Sequence, residues 1–303
     1  MEIKEIKKLN FEVDGRLKAP PSKSYTHRSL FIAALSEGES KIVDPLFSDD
    51  INYTIDALKK LGIIISEESN KDGIILNVEG RGGAMKEPAS PLYIGNSGTT
   101  LRFLMAVASL VNGTVTIDGD EEVRKRPVKG LEDSLKRLGV TIDSNKGCPP
   151  VRISSNGIIG GETLLEPSQS SQYLSALLLA SPYSKPYMKI KITGQIPSSP
   201  YVEMTIDVMN KFGVPVQRKD YSEFLINPSR YVGQKYIVEG DFSNCSYFMA
   251  IAAISRGRLI IENLNKDSKQ ADKAFVNILE NMGCKIEWND NSLIVRGGEL
   301  KGI

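Results

Sequence analysis

Four clusters of small polar and cationic residues stand just before apolar stretches, and together they have the makings of anion-binding sites. PSKSYTHR at 21–28 contains Lys23, Ser24 and Arg28, and GNSGTTLR at 95–102 contains Asn96, Gly98 and Arg102. QSSQY at 169–173 contains Ser170, Ser171 and Gln172, and GDFSN occupies 240–244. A helix start exposes unpaired N–H groups at the positive end of its dipole. Hydroxyls add donors, glycine lets an anion approach the backbone, lysine adds a point charge, and an arginine one turn on faces the same way. Arg28 stands in that place after Ser24, and Arg102 after Gly98. A further cationic run, Arg124, Lys125 and Arg126, precedes Pro127, which suits the first turn of a helix. It reads either as a solvated turn or as a second clamp for carboxylate or phosphate. Any one polar helix start is ordinarily just a cap. Recurrence in equivalent places, twice with a following arginine, favours anion binding.

The rest of the chain narrows the choice. Net charge is +1, so bulk electrostatics favour neither nucleic acid nor an anionic membrane, and any anion must be held by local placement of charge. The Walker A and GxGxxG phosphate-binding patterns are missing. His27 is the only histidine, and at a buried helix start it reads as packing or capping. Neither a carboxylate–histidine cluster nor a CxxC pair suggests a metal, and neither metal nor cofactor is expected. Three scattered cysteines and an N-terminus without the apolar core of a signal peptide point to the cytoplasm. The apolar runs near 103–110 and 176–180 are far shorter than the ~20 residues of a membrane span and read as buried helices.

The elements that would position these clusters recur. Helix ends ALKKLG, SLKRLG, VMNKFG and ILENMG finish on Gly62, Gly139, Gly213 and Gly283, at spacings of 77, 74 and 70 residues. Each glycine sits where a helix C-cap requires positive φ, and a β-rich stretch follows each time. Nearly uncharged helices are expected over 24–36, 98–111, 170–181 and 243–255, each followed by an alternating strand such as SKIVD or TVTID. The pattern predicts a βαβαββ unit used four times. One helix per unit is apolar all round and must be buried; the other is amphipathic, with Lys59, Lys60, Lys136 and Arg137 on its wet side.

Six ordered motifs, spanning nearly the whole chain, resemble the EPSP synthase (3-phosphoshikimate 1-carboxyvinyltransferase) family of enolpyruvyl transferases. They are PSKSYTHR, GNSGTTLR, the Arg126-Pro127 turn, SSQYLSALL at 170–178, SSPYVEMT at 198–205 and VEGDFSNCSYF at 238–248. The resemblance implies an α/β fold of buried parallel helices with sheets outside, and transfer of the enolpyruvyl group of phosphoenolpyruvate to the 5-hydroxyl of shikimate 3-phosphate, with phosphate released. It implies that Lys23 lies between both substrates, that Ser24 and Arg28 hold the shikimate carboxylate, and that Ser170, Ser171 and Ser198 hold its phosphate. It further implies that Gln172 touches both ligands and that Asn96, Gly98 and Arg126 face phosphoenolpyruvate. Arg124 is the candidate for a further cation there, although an ungapped alignment to some members puts Glu122 in its place. The expected partners are these two small molecules, with a monomer as the family norm.

The family has six units in two three-unit domains, whereas four are legible here. By that comparison residues 20–239 form a complete domain, and 1–19 with 240–303 form part of a second, with an exposed apolar surface, poor order or association with another chain. The family's catalytic Asp, Lys–Glu pair and further cations on phosphoenolpyruvate have no counterpart in this sequence. A binding fragment without catalysis and one piece of a split enzyme therefore stand beside the transferase. The sister transferase acting on UDP-N-acetylglucosamine is disfavoured by the SKS motif and by a loop at 120–125 that lacks cysteine.

Overall fold

The computed structural model describes residues 11–70, 73–167 and 169–303; the N-terminal segment 1–10, read above for a signal peptide, lies outside them. Among these residues are eight α-helices and four sheets of four strands each. The sheets are β13 (Lys235–Ile237), β2 (Glu37–Val43), β4 (Gly73–Arg81), β3 (Ile64–Asn70); β5 (Leu92–Tyr93), β6 (Asn112–Asp118), β8 (Cys148–Asn156), β7 (Thr141–Asn145); β9 (Gly161–Leu165), β10 (Met188–Ile192), β12 (Glu223–Ile226), β11 (Gln217–Lys219); and β1 (Asp14–Lys18), β14 (Arg258–Glu262), β16 (Ser292–Arg296), β15 (Lys285–Asn289). In every sheet the first pair is parallel and the other two are antiparallel.

The strand leading into a helix does not always join that helix's own sheet. β1 precedes the first helix in the chain but pairs with β14, Asp14 opposite Arg258; β13 precedes the last long helix but pairs with β2, Lys235 opposite Lys41. The chain accordingly divides into two compact units: the segment up to Ser22 together with Glu239–Ile303, and Lys23–Val238. Each has its own apolar core.

The helices are of two kinds. α2 (Asp49–Lys60), α4 (Lys129–Arg137), α6 (Pro200–Lys211) and α8 (Ala274–Asn281) bury one face. α2 has Asp49 and Asp50 in its first turn and Lys59 and Lys60 in its last, opposing its dipole at both ends. The glycines closing this set, Gly62, Gly139, Gly213 and Gly283, have φ of 90°, 87°, 87° and 111°, the left-handed caps that the repeat predicts.

α1 (Lys23–Leu35), α3 (Gly98–Ala108) and α5 (Gln172–Ala180) are buried on nearly every face, as an unpatterned apolar sequence requires. Phe31 of α1 meets Phe103 of α3 edge to face at 5.6 Å. α7 (Phe242–Ile254) departs from the expectation that all four apolar helices are buried. Phe242, Cys245, Met249, Ala252 and Ala253 enter the core of its unit, but Tyr247 and Ile254 are 73% and 77% exposed, and Phe248 and Ile251 lie on the same open face. The physical reason is local. α3 packs on both α1 and α5 within a single unit, whereas among the described residues α7 is the one helix of its kind in its own.

Candidate functional site

The starts of α1, α2, α3, α5 and α6 are joined by side-chain hydrogen bonds within the unit Lys23–Val238. Lys23, at the start of α1, is half exposed and pairs with Asp50 in the first turn of α2. Arg28, one turn into α1, is only 2% exposed. Its Nε donates to Thr205 Oγ1 at 2.8 Å, Nη1 to the Ser24 carbonyl at 2.9 Å and Nη2 to the Tyr201 carbonyl at 2.8 Å. Its guanidinium also lies over the rings of Phe103 and Tyr201, 5.4 Å and 6.0 Å from their centroids. Burial pulls its pKa down to about 10, still well above neutrality, so the charge persists inside the protein.

The start of α3 is capped by Ser97, whose Oγ accepts from the Thr100 amide at 3.3 Å. Beneath it runs a buried chain of hydroxyls. Ser97 Oγ meets Thr100 Oγ1 at 2.6 Å, Thr100 meets Thr54 Oγ1 of α2 at 2.7 Å, and Thr54 meets His27 Nδ1 of α1 at 3.1 Å. Burial first, then the charges of Lys23 and Arg28, depress the His27 pKa to about 3, so the imidazole is neutral. His27 is thus a packed linker between helix starts, as its position suggested.

Gly98 shows why the second cluster needs glycine. A Cβ there would lie 2.7 Å from Arg126 Nη1 and 3.3 Å from Arg102 Nη1, so two guanidiniums crowd the helix start. Arg126 donates through Nε and Nη2 to Asn96 Oδ1 at 3.2 and 2.9 Å. Arg102 donates through Nη1 to Gln172 Oε1 at 2.6 Å, and Gln172 Nε2 donates to Thr99 Oγ1 at 3.1 Å, which ties the start of α5 to that of α3. Arg102 lies 5.6 Å over the Tyr173 ring, and its pKa is lowered mainly by burial and also by neighbouring Arg126.

Ser170 Oγ accepts from the Gln172 amide at 3.2 Å, and Ser171 is buried at the helix boundary. Ser198 is exposed, two residues before α6, with φ of 53°. Its carbonyl accepts from the Tyr201 amide at 3.1 Å. Arg124 makes a two-pronged pair with Asp118, Nε to Oδ1 at 2.9 Å and Nη2 to Oδ2 at 2.6 Å, so the guanidinium is committed to a carboxylate.

Residues outside the sequence-derived set also take part: Asp50, Thr54, Ser97, Thr99, Thr100, Tyr201 and Thr205. Thr99 lies inside the GNSGTT motif and Asp50 in the acidic first turn of an amphipathic helix, so both were within reach of the pattern. Tyr201 and Thr205 lie inside the SSPYVEMT motif, but the role of the Tyr201 carbonyl and the contact of Thr205 with a residue 177 positions away are not given by that pattern.

Chemically, Arg28, Arg102 and Arg126 all donate to neutral oxygens, and among the described residues none of them is in an ion pair. Their charges are therefore not neutralised by a carboxylate; Arg28 and Arg102 are buried and Arg126 is partly exposed, and the neighbouring helix starts supply N–H and hydroxyl donors. Among the described residues there is no group of three or more His, Cys, Asp or Glu placed to hold a metal ion, and no helix is long and apolar enough to cross a membrane.

The profile of EPSP synthase (3-phosphoshikimate 1-carboxyvinyltransferase) matches residues 8–303. The 3-phosphoshikimate 1-carboxyvinyltransferase of Methanothermobacter thermautotrophicus is 42% identical over 296 residues, covering 96% of this chain and 68% of its own length. That of Actinobacillus pleuropneumoniae is 40% identical over 299 residues, with coverage of 96% and 68%. A solved EPSP synthase from Acinetobacter baumannii superposes with a TM-score of 0.83 at 27% identity, covering 97% of this chain and 67% of the other. By its motifs, its mixed α/β fold and these relatives, the chain belongs to the EPSP synthase family of 3-phosphoshikimate 1-carboxyvinyltransferases.

Proposed function

We propose that the chain serves the family reaction, transfer of the enolpyruvyl group of phosphoenolpyruvate to the 5-hydroxyl of shikimate 3-phosphate with release of phosphate, a step towards aromatic amino acids. The observation that carries this reading is the convergence of helix starts around three guanidiniums held only by neutral acceptors. Ser24 and Arg28 take the shikimate carboxylate, and Ser170, Ser171 and Ser198 its phosphate. Asn96, Gly98 and Arg126 face phosphoenolpyruvate, Lys23 stands between the two substrates, and Gln172, fixed by Arg102 and Thr99, bridges them.

The chemistry is an addition followed by an elimination. The 5-hydroxyl gives up its proton as its oxygen bonds to C2 of phosphoenolpyruvate, and C3 gains a proton, giving a tetrahedral ketal. Loss of a proton from C3 and cleavage of the C2–O bond to phosphate then restore the double bond. Two polyanions must meet, and dense fixed donors offset their repulsion and set their orientation in advance. The shared topology of the four sheets supports counting the chain as four of the family's six βαβαββ units, with 20–239 as the complete domain. A cytoplasmic monomer follows the family, with association at high concentration through the open face of α7 as the departure from it.

Calorimetric titration with shikimate 3-phosphate tests the site. Lys23→Ala or Ser170→Ala should weaken binding at least tenfold, and unchanged affinity would sink the assignment. A second reading, binding without turnover by this chain alone or catalysis only with a partner chain, is favoured by the open apolar face of α7. Phosphate release from both substrates separates the two: enzyme-like turnover supports the transferase, and tight binding without release supports the second reading.

A further inference from the structure

The turn that carries Arg126 is stapled at three levels. Its base is tied by backbone to the loop before α3: the Ile94 amide donates to the Asp118 carbonyl at 2.9 Å and the Asp120 amide to the Gly95 carbonyl at 3.1 Å. Gly119 packs so closely on Gly95 that a Cβ would collide with its carbonyl oxygen. Within the turn, Asp120 Oδ1 accepts from the amides of Glu122 and Val123 at 3.0 and 2.9 Å, and the buried Val123 accepts from the Arg126 amide at 2.9 Å. Across the turn runs the Arg124–Asp118 fork, whose Oδ1 also accepts from the Gly119 amide at 2.8 Å.

An exposed ion pair contributes little to stability, so a two-pronged pair on a half-exposed turn calls for another explanation. A fork fixes both distance and orientation, and what it fixes here is the segment ending at Arg126, beside Asn96 and Gly98. The fork also occupies Asp118, so that carboxylate does not compete for neighbouring cations.

We propose that Arg124 is a positioning residue for phosphoenolpyruvate, not one of its ligands: by clamping Asp118 across the 118–126 turn it holds Arg126 in place against Asn96 and Gly98. This rests on the assignment of phosphoenolpyruvate to that subsite.

The sign of the effect at Asp118 separates the two roles. If Arg124 were a ligand, removing the Asp118 charge would leave phosphoenolpyruvate binding unchanged or tighten it. If Arg124 positions Arg126, Asp118→Asn and Arg124→Gln should both weaken binding.

The experiment titrates phosphoenolpyruvate into the 303-residue chain saturated with shikimate 3-phosphate, for the wild type, Asp118→Asn, Arg124→Gln, the double variant, Arg126→Ala, and Arg126→Ala with Arg124→Gln. In parallel, hydrogen exchange of the Arg126 Nε–H is followed by NMR. Expected are about tenfold weaker phosphoenolpyruvate binding in each single fork variant, no further loss in the double variant, and no further loss from Arg124→Gln once Arg126 is alanine. Shikimate 3-phosphate affinity should be unchanged and Arg126 Nε–H exchange at least several-fold faster. Unchanged or tighter binding in Asp118→Asn, or additive losses at Arg124 and Arg126, overturns the proposal. If the wild type binds no phosphoenolpyruvate, the subsite assignment fails instead. The exchange data then decide the clamp: unchanged Arg126 protection in both fork variants refutes it.

Discussion

The single histidine offers a direct test of how the helix starts are packed. His27 is buried between α1, α2 and α3, with Nδ1 on Thr54 and Nε2 without a hydrogen-bond partner. Burial, Lys23 and Arg28 hold its pKa near 3, against 6.5 for an ordinary histidine. Below pH 6.5 the unfolded chain therefore binds a proton that the folded chain refuses. Stability is unpenalised above 6.5 and falls as pH drops from 6.5 towards 3, by about 1.4 kcal/mol per unit. Between pH 7.5 and 5.0 the loss from this one residue is about 2 kcal/mol, within a total stability of about 5–15 kcal/mol for a folded domain. No other side chain has an ordinary pKa inside that window. Urea unfolding of the wild type and His27→Gln at both pH values isolates the effect: the wild type should lose about 2 kcal/mol more than the variant. NMR gives an independent reading, because one histidine means one imidazole titration. An imidazole titrating between pH 6 and 7 in the folded chain, or equal pH sensitivity in His27→Gln, would refute the buried neutral linker.

Three further outcomes are expected. Gly98→Ala should leave the urea midpoint nearly unchanged, since the glycine is helical and only flexible guanidinium tips must yield, yet weaken phosphoenolpyruvate binding about tenfold or more in calorimetry; retained affinity would show that the crowding does not matter. Arg28→Lys cannot reproduce a fork reaching Thr205, Ser24 and Tyr201, and should cost about 3 kcal/mol in urea unfolding, as expected when a buried charge loses its partners; a loss under 1 kcal/mol would contradict the burial of its contacts. Tyr247→Lys with Ile254→Lys on the open face of α7 should reduce concentration-dependent association in sedimentation while changing stability by no more than about 0.5 kcal/mol per substitution; a wild type that stays monomeric at high concentration would remove the basis for this.

Much of this architecture is legible in the residues because local signals repeat. Glycine caps after amphipathic helices and unpatterned apolar helices after polar clusters locate the eight described helices, and the caps at Gly62, Gly139, Gly213 and Gly283 have the backbone they imply. The start of α3 at Gly98 is as expected, and the other boundaries of the apolar helices shift by one to three residues. Pairing of β1 with β14 and of β13 with β2 was not legible, because nothing in the sequence DGRLK or KYI names a partner sheet. For α7 two expectations compete: apolarity all round implies burial, whereas an exposed apolar surface is expected within 240–303, and the exposed Tyr247, Phe248, Ile251 and Ile254 agree with the second. At the site, Lys23, Gly98 and Arg126 are visible as types at spacings. The commitment of Arg124 to Asp118 depends on how a turn folds back on a strand end, and residue spacing alone could not give it.

The exchanged strands have a consequence for how the chain is made. β2 waits for β13, its parallel neighbour, until 194 further residues have emerged, and β1 waits 244 residues for β14. At typical synthesis rates of about 5–20 residues per second, the open edge of β2 is unguarded for roughly 10–40 s on the ribosome. The first sheet of the nascent chain thus presents an unpaired strand edge while those 194 residues are made, the kind of surface that invites mispairing and that a chaperone would cover.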